Sequence, residues 1–401
     1  MPHPHPLRWA VLFGVWLVYA CFGLVATSLA PLVGEIERDL ALSHAAMGSV
    51  MGAWQLVYIA AAVPCGILLD RLGPRRALTL GALAVAASAW GRSAADDYAG
   101  LLAAVMLFGI GGPIVSAGAP KVIASWFEGS ERGLAMGIYI TGPALGGVCS
   151  LTLTHAWLLP LFDDDWRPIF VAWATLALVA GAAWFFIASL PGVRPRTGGA
   201  DRAGAVPHGA VVRGLLGVPA LRVMLVMSVG AFTLGHGFSN WLPEMLIAGG
   251  MAPAVAGYWA ALPTLVGIFA ALAIPRLATP ARRFDILAAL ATALLAATVL
   301  LQFHHPWPLA AGLVLQGVAR STMMTVMLLT LVELDGVGER HAGTAAGLFF
   351  AAAELGGMLG PLGLGLLYDW THAFVTGLAV FSVIATGLLA GVAVLRRLAR
   401  A

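Results

Sequence analysis

Two ionisable residues stand in long apolar stretches of the chain. Arg320 lies in LQGVARSTMMTVML, where the nearest acidic residue in the sequence is Glu333, and Glu354 lies in the next apolar stretch, in AAAELGG. A charge in the middle of hydrocarbon costs about 2.5–3.5 kcal/mol on insertion scales, so such groups need a partner, water or a function. Two interpretations stay open here. Arg320 and Glu354 form a structural ion pair, or a ligand and protons compete for them.

A second group of polar residues has the spacing of one helix face. His236 and Asn240 in LGHGFSNWLP are four residues apart, which is one helical turn. Histidine titrates near neutrality, so His236 is a candidate for ligand binding or proton relay beside Glu354, and a purely structural role is the alternative. Lys121 either reaches toward the membrane surface or contacts a ligand or gate. The remaining candidates for ligand binding are Trp54, Gln55, Tyr58 and Tyr139.

Most of the chain is apolar, and its charges are confined to short islands. Only 10% of the residues are Asp, Glu, Lys or Arg, against roughly 25% in an ordinary soluble domain, and the mean hydropathy is +0.91. The apolar runs have about the 18 to 28 residues that cross hydrocarbon as a helix, and they lack the alternation of barrel strands. The sequence therefore predicts an all-α membrane protein with twelve transmembrane helices, at roughly 9–32, 46–69, 76–95, 98–125, 132–157, 166–190, 218–247, 253–275, 284–302, 307–332, 342–368 and 371–395.

Positive charge is shared unevenly between the two sides of these helices. Of the 22 Lys and Arg residues, seventeen fall on one side, whereas the other side has only Arg38, Arg92 and Arg167. The positive-inside rule makes the first side cytoplasmic. We therefore expect a multi-pass protein of the inner (plasma) membrane with both termini in the cytoplasm.

The two halves of the chain resemble each other at a shift of about 205–212 residues. ERGLAMGIYITGPALGG (131–147) matches ERHAGTAAGLFFAAAELGG (339–357), and DRLGPRRAL (70–78) matches PRLATPARRF (275–284). Parallel repeats of this kind predict two pseudo-symmetric six-helix bundles, residues 1–190 and 217–401, joined by a cytoplasmic linker rich in Gly, Pro and Arg at 191–216.

One short loop carries the most specific motif. GILLDRLGPRRAL joins predicted spans two and three, and Gly73 with Pro74 makes a tight reversal there. The motif resembles the G-x-x-x-D-R-x-G-R-R signature of the major facilitator superfamily, with Pro74 as an inserted residue. The resemblance implies a twelve-helix transporter fold and a cytoplasmic latch that stabilises the outward-facing state, with the central roles on Asp70, Arg71 and Arg75. The matching residues are Gly66, Asp70, Arg71, Gly73, Arg75 and Arg76.

Three further stretches bear on this resemblance. GPALGG in span five resembles an element of the same superfamily often associated with exchangers, and its Gly142, Pro143, Gly146 and Gly147 also suit close helix packing. In span four, Leu107 or Phe108 stands where many members carry an arginine, which disfavours a simple proton-antiport drug pump. The stretch PKVIASWF…ERG is similar to the branch of cyanate-type and other small-metabolite porters.

Several classes of function are disfavoured by missing motifs. The sequence has no G-x-x-x-x-G-K-[ST], G-x-S-x-G or H-E-x-x-H pattern, and its three cysteines have no metal-ligand spacing. We therefore expect no enzyme activity, no cofactor, no metal site and no nucleic-acid partner.

The combined features predict a monomeric secondary active transporter that works by alternating access. The positive bias of Arg320, with Lys121, His236 and Asn240, favours a small organic or inorganic anion, moved with a proton or in exchange. Its partners would be that small molecule, the lipid bilayer and protons. Two alternatives stay open: a proton-coupled exporter of a hydrophobic or cationic compound that uses Glu354, and a non-transporting membrane sensor.

Overall fold

The computed structural model describes residues 7–191, 208–303, 305–334 and 337–399, and this part of the chain contains helices and no strand. The helices are α1 Arg8–Thr27, α2 Val33–Leu40, α3 His44–Ser93, α4 Tyr98–Trp126, α5 Gly129–Leu153, α6 Leu159–Leu161, α7 Arg167–Ile187, α8 His208–Leu216, α9 Pro219–Ala248, α10 Pro253–Leu277, α11 Arg283–Leu300, α12 Pro306–Val332, α13 Gly338–Thr371 and α14 Phe374–Leu398. A 3₁₀ turn covers Ala30–Leu32, and a π-helical turn covers Thr154–Leu158.

Eleven helical segments among the described residues are long and apolar enough to cross a membrane. One of them, α3, has 50 residues and is interrupted at Gly73, whose φ of 74° and ψ of 163° are not helical. A positive φ of this kind is open to glycine without steric cost. Counting α3 as two spans gives twelve, and the predicted all-helical membrane fold is confirmed.

Polar side chains cap the helices that follow the first and third predicted loops. The side chain of Ser43 accepts a hydrogen bond from the backbone N–H of Ala46 at 3.2 Å, and Asp97 accepts one from Gly100 at 2.7 Å. These caps satisfy backbone donors that the first turn of a helix leaves without an intrahelical partner. The sequence therefore sets these two helix starts locally, independently of packing.

The described residues form two compact units. One unit lies within Met1–Gly198 and includes Leu246–Ala261, and the other lies within Gly199–Met245 and Leu262–Ala401. Most of the predicted first half lies in unit 1 and most of the second half in unit 2. The predicted linker at 191–216 falls largely outside the described residues, and the domain boundaries stay a prediction.

In each unit, one pair of helices crosses at a glycine that nearly touches the backbone of its partner. A Cβ added at Gly146 in α5 would lie well under 3.0 Å from the carbonyl oxygen of Ala20 in α1. A Cβ at Gly356 in α13 would do the same to the carbonyl of Val229 in α9. Ala20 and Val229 are 209 positions apart, and Gly146 and Gly356 are 210 apart. The two crossings are therefore repeats of each other.

A second crossing recurs in the same way. Gly109 in α4 approaches the carbonyl of Trp54 in α3, and Gly317 in α12 approaches the carbonyl of Pro263 in α10. The offsets are 208 and 209 positions, close to those of the first crossing. The contacts thus agree with the internal repeat inferred from the sequence. At both crossings, small residues let the helix backbones approach closely.

The first membrane helix is interrupted. α1 ends at Thr27, a 3₁₀ turn covers Ala30–Leu32, and α2 begins at Val33. Pro31 in this turn has no N–H to donate, so carbonyl groups at the end of α1 need other partners. Arg92 from α3 supplies a donor to this end of the helix.

The burial of Arg92 was not expected from the sequence, which counted this residue with the charges on the non-cytoplasmic side, near the end of predicted span 76–95. Its side chain is 1% exposed, and its Nη1 donates to the carbonyl of Val25 at 2.8 Å and to the hydroxyl of Ser28 at 3.1 Å. The guanidinium also lies over the rings of Phe108 and Phe170, 5.6 and 6.0 Å from their centroids. The negative end of the α1 dipole and two aromatic faces favour the buried cation without a carboxylate.

The crossing glycines can be tested by adding one methyl group. Gly146→Ala and Gly356→Ala should each lower stability by about 1–3 kcal/mol or more, because the new Cβ meets backbone that cannot rotate away. Gly137→Ala and Gly347→Ala are matched controls on the same helices, since a Cβ there meets nothing within 4 Å. Thermal unfolding in detergent micelles measures the difference, and equal melting temperatures for the two classes would contradict the packing role.

Candidate functional site

Arg320 is held by two hydroxyl groups from neighbouring helices of unit 2. Its Nη1 donates a hydrogen bond to the Ser239 hydroxyl of α9, and its Nη2 donates to Thr264 Oγ1 of α10 at 3.1 Å. Both acceptors are neutral, so the charge of the half-buried guanidinium is oriented but not cancelled. The arrangement leaves a fixed cation among three helices, which is suited to recognise an anion.

His236 and Asn240 adjoin this cation along α9. His236 is near enough to Arg320 for their charges to interact, and its ring lies 5.6 Å from the ring of Phe232. The Nδ2 of Asn240, whose side chain is buried, donates to the backbone carbonyl of His236 at 2.8 Å. We call Arg320, His236, Ser239 and Thr264 the cationic cluster. The structure thus brings His236 to Arg320 and ties Asn240 to the backbone of the same helix.

The aliphatic stem of Arg320 meets α9 at a glycine. A Cβ added at Gly235 would lie 3.6 Å from Cγ of Arg320, so the arginine stem packs on the bare backbone of α9. Sequence reasoning missed Ser239 and Thr264. Ser239 follows His236 by three residues on the same helix, a spacing that places both on one face. Thr264 had no comparable signal.

Glu354 has surroundings different from those expected for a partner of Arg320. It is 8% exposed in α13, and its Oε2 has no hydrogen-bond partner among the described residues. No ion pair joins it to Arg320 in the part of the chain that the structure describes, since the hydrogen bonds of that guanidinium go to Ser239 and Thr264. The structural ion pair is therefore absent here, and Glu354 is a buried carboxyl with an unused acceptor.

The aromatic candidates come together in unit 1. The ring of Tyr139 stacks on Tyr19 at 5.5 Å, and Trp54 meets Tyr58 and Phe108 edge to face at 6.0 and 5.4 Å. The hydroxyl of Tyr58 is 2.8 Å from that of Ser116. We call these five residues on α1, α3, α4 and α5 the aromatic cluster: Tyr19, Trp54, Tyr58, Phe108 and Tyr139. Gln55 lies beside them in the sequence and is fully buried.

Asp70 of the latch motif forms an ion pair with a residue outside the motif. Lys121 of α4 pairs with Asp70 of α3, and their side chains are 49% and 68% exposed. This position suits the interpretation in which Lys121 reaches toward the membrane surface, and it joins the residue to the predicted latch. Arg75 lies over the ring of Phe185 at 5.3 Å, and its carbonyl accepts from Trp184 Nε1 at 3.1 Å. The remaining latch candidates are exposed Arg71 and Arg76, and Gly66, where a Cβ would meet nothing within 4 Å.

The GPALGG element lies against the first helix along its length. A Cβ at Gly142 would lie 3.0 Å from the carbonyl of Trp16, and one at Gly147 would lie 3.0 Å from Thr27 Oγ1. The backbone of Pro143 faces Gly23 so closely that a Cβ on that glycine would overlap it. With Gly146 on Ala20, the element is in contact with α1 over more than one turn.

Arg320 and Glu354 have no charged counterparts in the first half of the chain. With the offsets of the helix crossings, 208 for α12 and 210 for α13, Arg320 corresponds to Gly112 and Glu354 to Ala144. A Cβ at Gly112 would lie 3.0 Å from the Tyr58 ring, so the small residue accommodates an aromatic side chain of the aromatic cluster. Both mid-membrane charges thus belong to one repeat. Among the described residues, no group of three or more His, Cys, Asp or Glu could hold a metal ion.

Twelve spans, repeated glycine crossings and a half-buried cation in one repeat are the features of a polytopic helical membrane protein with two similar halves. Residues 15–361 match the model of the Major Facilitator Superfamily, and the chain belongs to this family. It is therefore a membrane transporter rather than an enzyme.

Relatives and a solved structure agree with this family. The chain is 26% identical to the probable galactarate/D-glucarate transporter GudP of Bacillus subtilis (strain 168), over 65% of its length and 62% of that relative, less than two thirds of it. It is 24% identical to the probable galactarate/D-glucarate transporter GarP of Escherichia coli (strain K12), over 92% of the chain and 89% of the relative. The crystal structure of the nucleoside transporter NupG superposes with a TM-score of 0.81 at 12% identity, covering 97% of this chain and 99% of that one, which shows a shared fold.

The Lys121–Asp70 pair should contribute little to stability. Both side chains are about half exposed or more, and exposed pairs are worth roughly 0.2–1 kcal/mol. A double-mutant cycle with Lys121→Met and Asp70→Asn, measured by chemical denaturation in micelles, should give a coupling energy below about 1 kcal/mol that shrinks at high salt. A coupling of several kcal/mol would show that the pair is structural. Lys121→Arg, which keeps the charge, is the control.

Proposed function

We propose that the protein is a secondary active transporter of a small organic anion of the sugar-acid class. The observation that carries this proposal is the cationic cluster, in which Arg320 has two neutral hydroxyl partners and no carboxylate partner among the described residues. The galactarate and D-glucarate named for the relatives are dicarboxylates that also carry several hydroxyl groups. A cation beside hydroxyls matches that chemistry.

The chemistry of recognition follows from the donors in the cluster. A guanidinium presents N–H groups in a planar fork that fits the two oxygens of a carboxylate. Ser239 and Thr264 both accept from Arg320, but the O–H of Ser239 already donates to the carbonyl of Gly235 at 2.9 Å. Thr264 is therefore the hydroxyl of the cluster whose O–H can donate to a carboxylate or a sugar hydroxyl. His236 adds a ring nitrogen on the same side of α9. The cluster therefore offers one charge-assisted contact and several neutral ones, as a polyhydroxy acid requires.

Glu354 is the group we assign to proton coupling. Its carboxyl is 8% exposed, and one oxygen has no hydrogen-bond partner in the described part of the chain. A buried acid with an unused oxygen can take up and release a proton without breaking an existing bond. Neutralisation of Glu354 while an anion occupies Arg320 would let the substrate and the proton cross together.

We propose that the ion pair at the latch motif breaks and re-forms during the transport cycle. Lys121 and Asp70 join α4 to α3 next to Gly73, where α3 is interrupted. A pair this exposed is weak enough to break during each transport cycle. We place this end of the helices at the cytoplasm of a bacterial inner membrane, with both termini on the same side, because most arginines in loops lie there.

One observation supports a second function. The unpartnered oxygen of Glu354 could instead accept a cationic group, which would make the protein a proton-coupled exporter. The two functions differ in the residue on which substrate binding depends: Arg320 for an anion and Glu354 for a cation.

Removing the charge of Arg320 tests the anion proposal. In proteoliposomes, Arg320→Gln should lower the affinity for galactarate or D-glucarate at least about 30-fold, since losing a charge-assisted contact costs roughly 2 kcal/mol or more. Arg320→Lys should recover part of the loss, because the charge remains without the planar fork. Arg276→Gln, at the end of α10, is the matched control. Unchanged uptake by Arg320→Gln in correctly folded protein would refute the proposal.

Glu354→Gln tests the coupling role separately. The variant keeps the shape and removes the titrating group, so it should still exchange labelled D-glucarate across vesicles. It should no longer accumulate D-glucarate when an inward proton gradient is imposed. Glu128→Gln, on the exposed residue before α5, controls for loss of a negative charge. Accumulation at the wild-type level by Glu354→Gln would rule out this residue as the coupling group.

A further inference from the structure

A groove of about 700 Å³ runs between α9 and α14 in unit 2. It lies open at the surface of the unit, since Val226 on one wall is 73% exposed and Val394 on the other is 42% exposed. Apart from Arg222, every residue that lines it is apolar or glycine. Neither the cationic cluster nor Glu354 is part of its lining, so the transport chemistry does not account for it.

The length of the groove matches one leaflet of a bilayer. Its lining on α9 extends from Pro219 to Gly230 and on α14 from Ile384 to Leu398. At about 1.5 Å per helical residue these stretches are roughly 16 and 21 Å long. Half of a hydrocarbon core is about 15 Å thick. A single acyl chain lying along the helices therefore fits the groove from the membrane boundary to the midplane.

The depth of the groove depends on small residues. A Cβ placed at Gly387 of α14 meets no atom within 4 Å, so space is open above this residue. Gly391, one turn further, lies against the side chain of Met227 on the opposite wall. The glycine side of α14 thus forms a floor over which a flexible hydrocarbon chain can lie.

The polar end of the groove has a cation. Arg222 lies in the first turn of α9, and Leu398 lies in the last turn of α14, so both mark the same end of the helix pair. The side chain of Arg222 is exposed and makes no hydrogen bond or ion pair within the residues that the structure describes. Outside the lining, Arg396 and Arg397 lie in the last turn of α14, and Arg396 is paired with Asp285.

We propose that the groove between α9 and α14 binds one anionic glycerophospholipid, with an acyl chain against Gly387 and the phosphate at Arg222. Charge complementarity selects this occupant. An unpartnered guanidinium at the boundary end of a leaflet-deep apolar groove attracts a headgroup with net negative charge, each such residue adding about 1 kcal/mol near the surface. A zwitterionic lipid would fill the groove without this preference.

Native mass spectrometry of the full chain in detergent tests the proposal. The probes are phosphatidylglycerol and phosphatidylcholine with identical acyl chains at equal concentration. Wild-type protein should retain one phosphatidylglycerol in preference to phosphatidylcholine. Arg222→Gln should lower that preference roughly fivefold, the value of one arginine near a membrane surface, while Arg276→Gln should leave it unchanged.

A second variant tests the acyl-chain position. Gly387→Leu fills the open space of the groove and should reduce retention of both lipids, whereas Gly363→Leu, at another glycine with nothing within 4 Å, should not. Gel filtration verifies that each variant is folded. The proposal is overturned by an unchanged lipid preference in Arg222→Gln, by full retention in Gly387→Leu, or by a second copy of the chain occupying the groove in place of lipid.

Discussion

Close backbone contact at glycine is the constraint on which the rest of this structure depends. In hydrocarbon, burying an apolar side chain yields little, because lipid tails are as apolar as the protein, so helices associate through tight packing. Gly146 and Gly356 bring α5 to α1 and α13 to α9. Gly109 and Gly317 fix the second crossing in each unit. Arg320 and Glu354 lie on α12 and α13, the helices that Gly317 and Gly356 bring close to α10 and α9.

The equivalent crossings lie beside two clusters that differ in polarity, the aromatic cluster in unit 1 and the cationic cluster in unit 2. In unit 1 a small residue leaves room for an aromatic ring, as Gly112 does for Tyr58. In unit 2 the equivalent site on α12 holds Arg320, and hydroxyls on α9 and α10 orient it. The packing at the crossings is the same in both repeats, although a few residues differ. One repeat therefore has an aromatic interior, and the other has a charged one. Substrate chemistry can therefore change without altering how the helices are assembled.

The sequence predicted the features that depend only on position along the chain, namely the membrane spans and the break at Gly73. Hydropathy located the spans, and Gly73 was correctly assigned to the break between two of them. Depth within a span does not determine which neighbour a side chain faces. Arg320 and Glu354 lie at similar depth, yet the arginine faces Ser239 and Thr264. The burial of Arg92 was not predicted for a related reason: it lies near a helix end, and only packing shows that it turns inward to the end of α1.

The break at Gly73 has a mechanical consequence. A single non-helical residue leaves no slack between the two arms of α3. One side of the bend is tied to α4 through Lys121, and the other is tied to α7 through Trp184 and the carbonyl of Arg75. The two arms of α3 therefore have different neighbours at the bend, and the exposed contact to α4 can break while the indole–carbonyl hydrogen bond to α7 is kept.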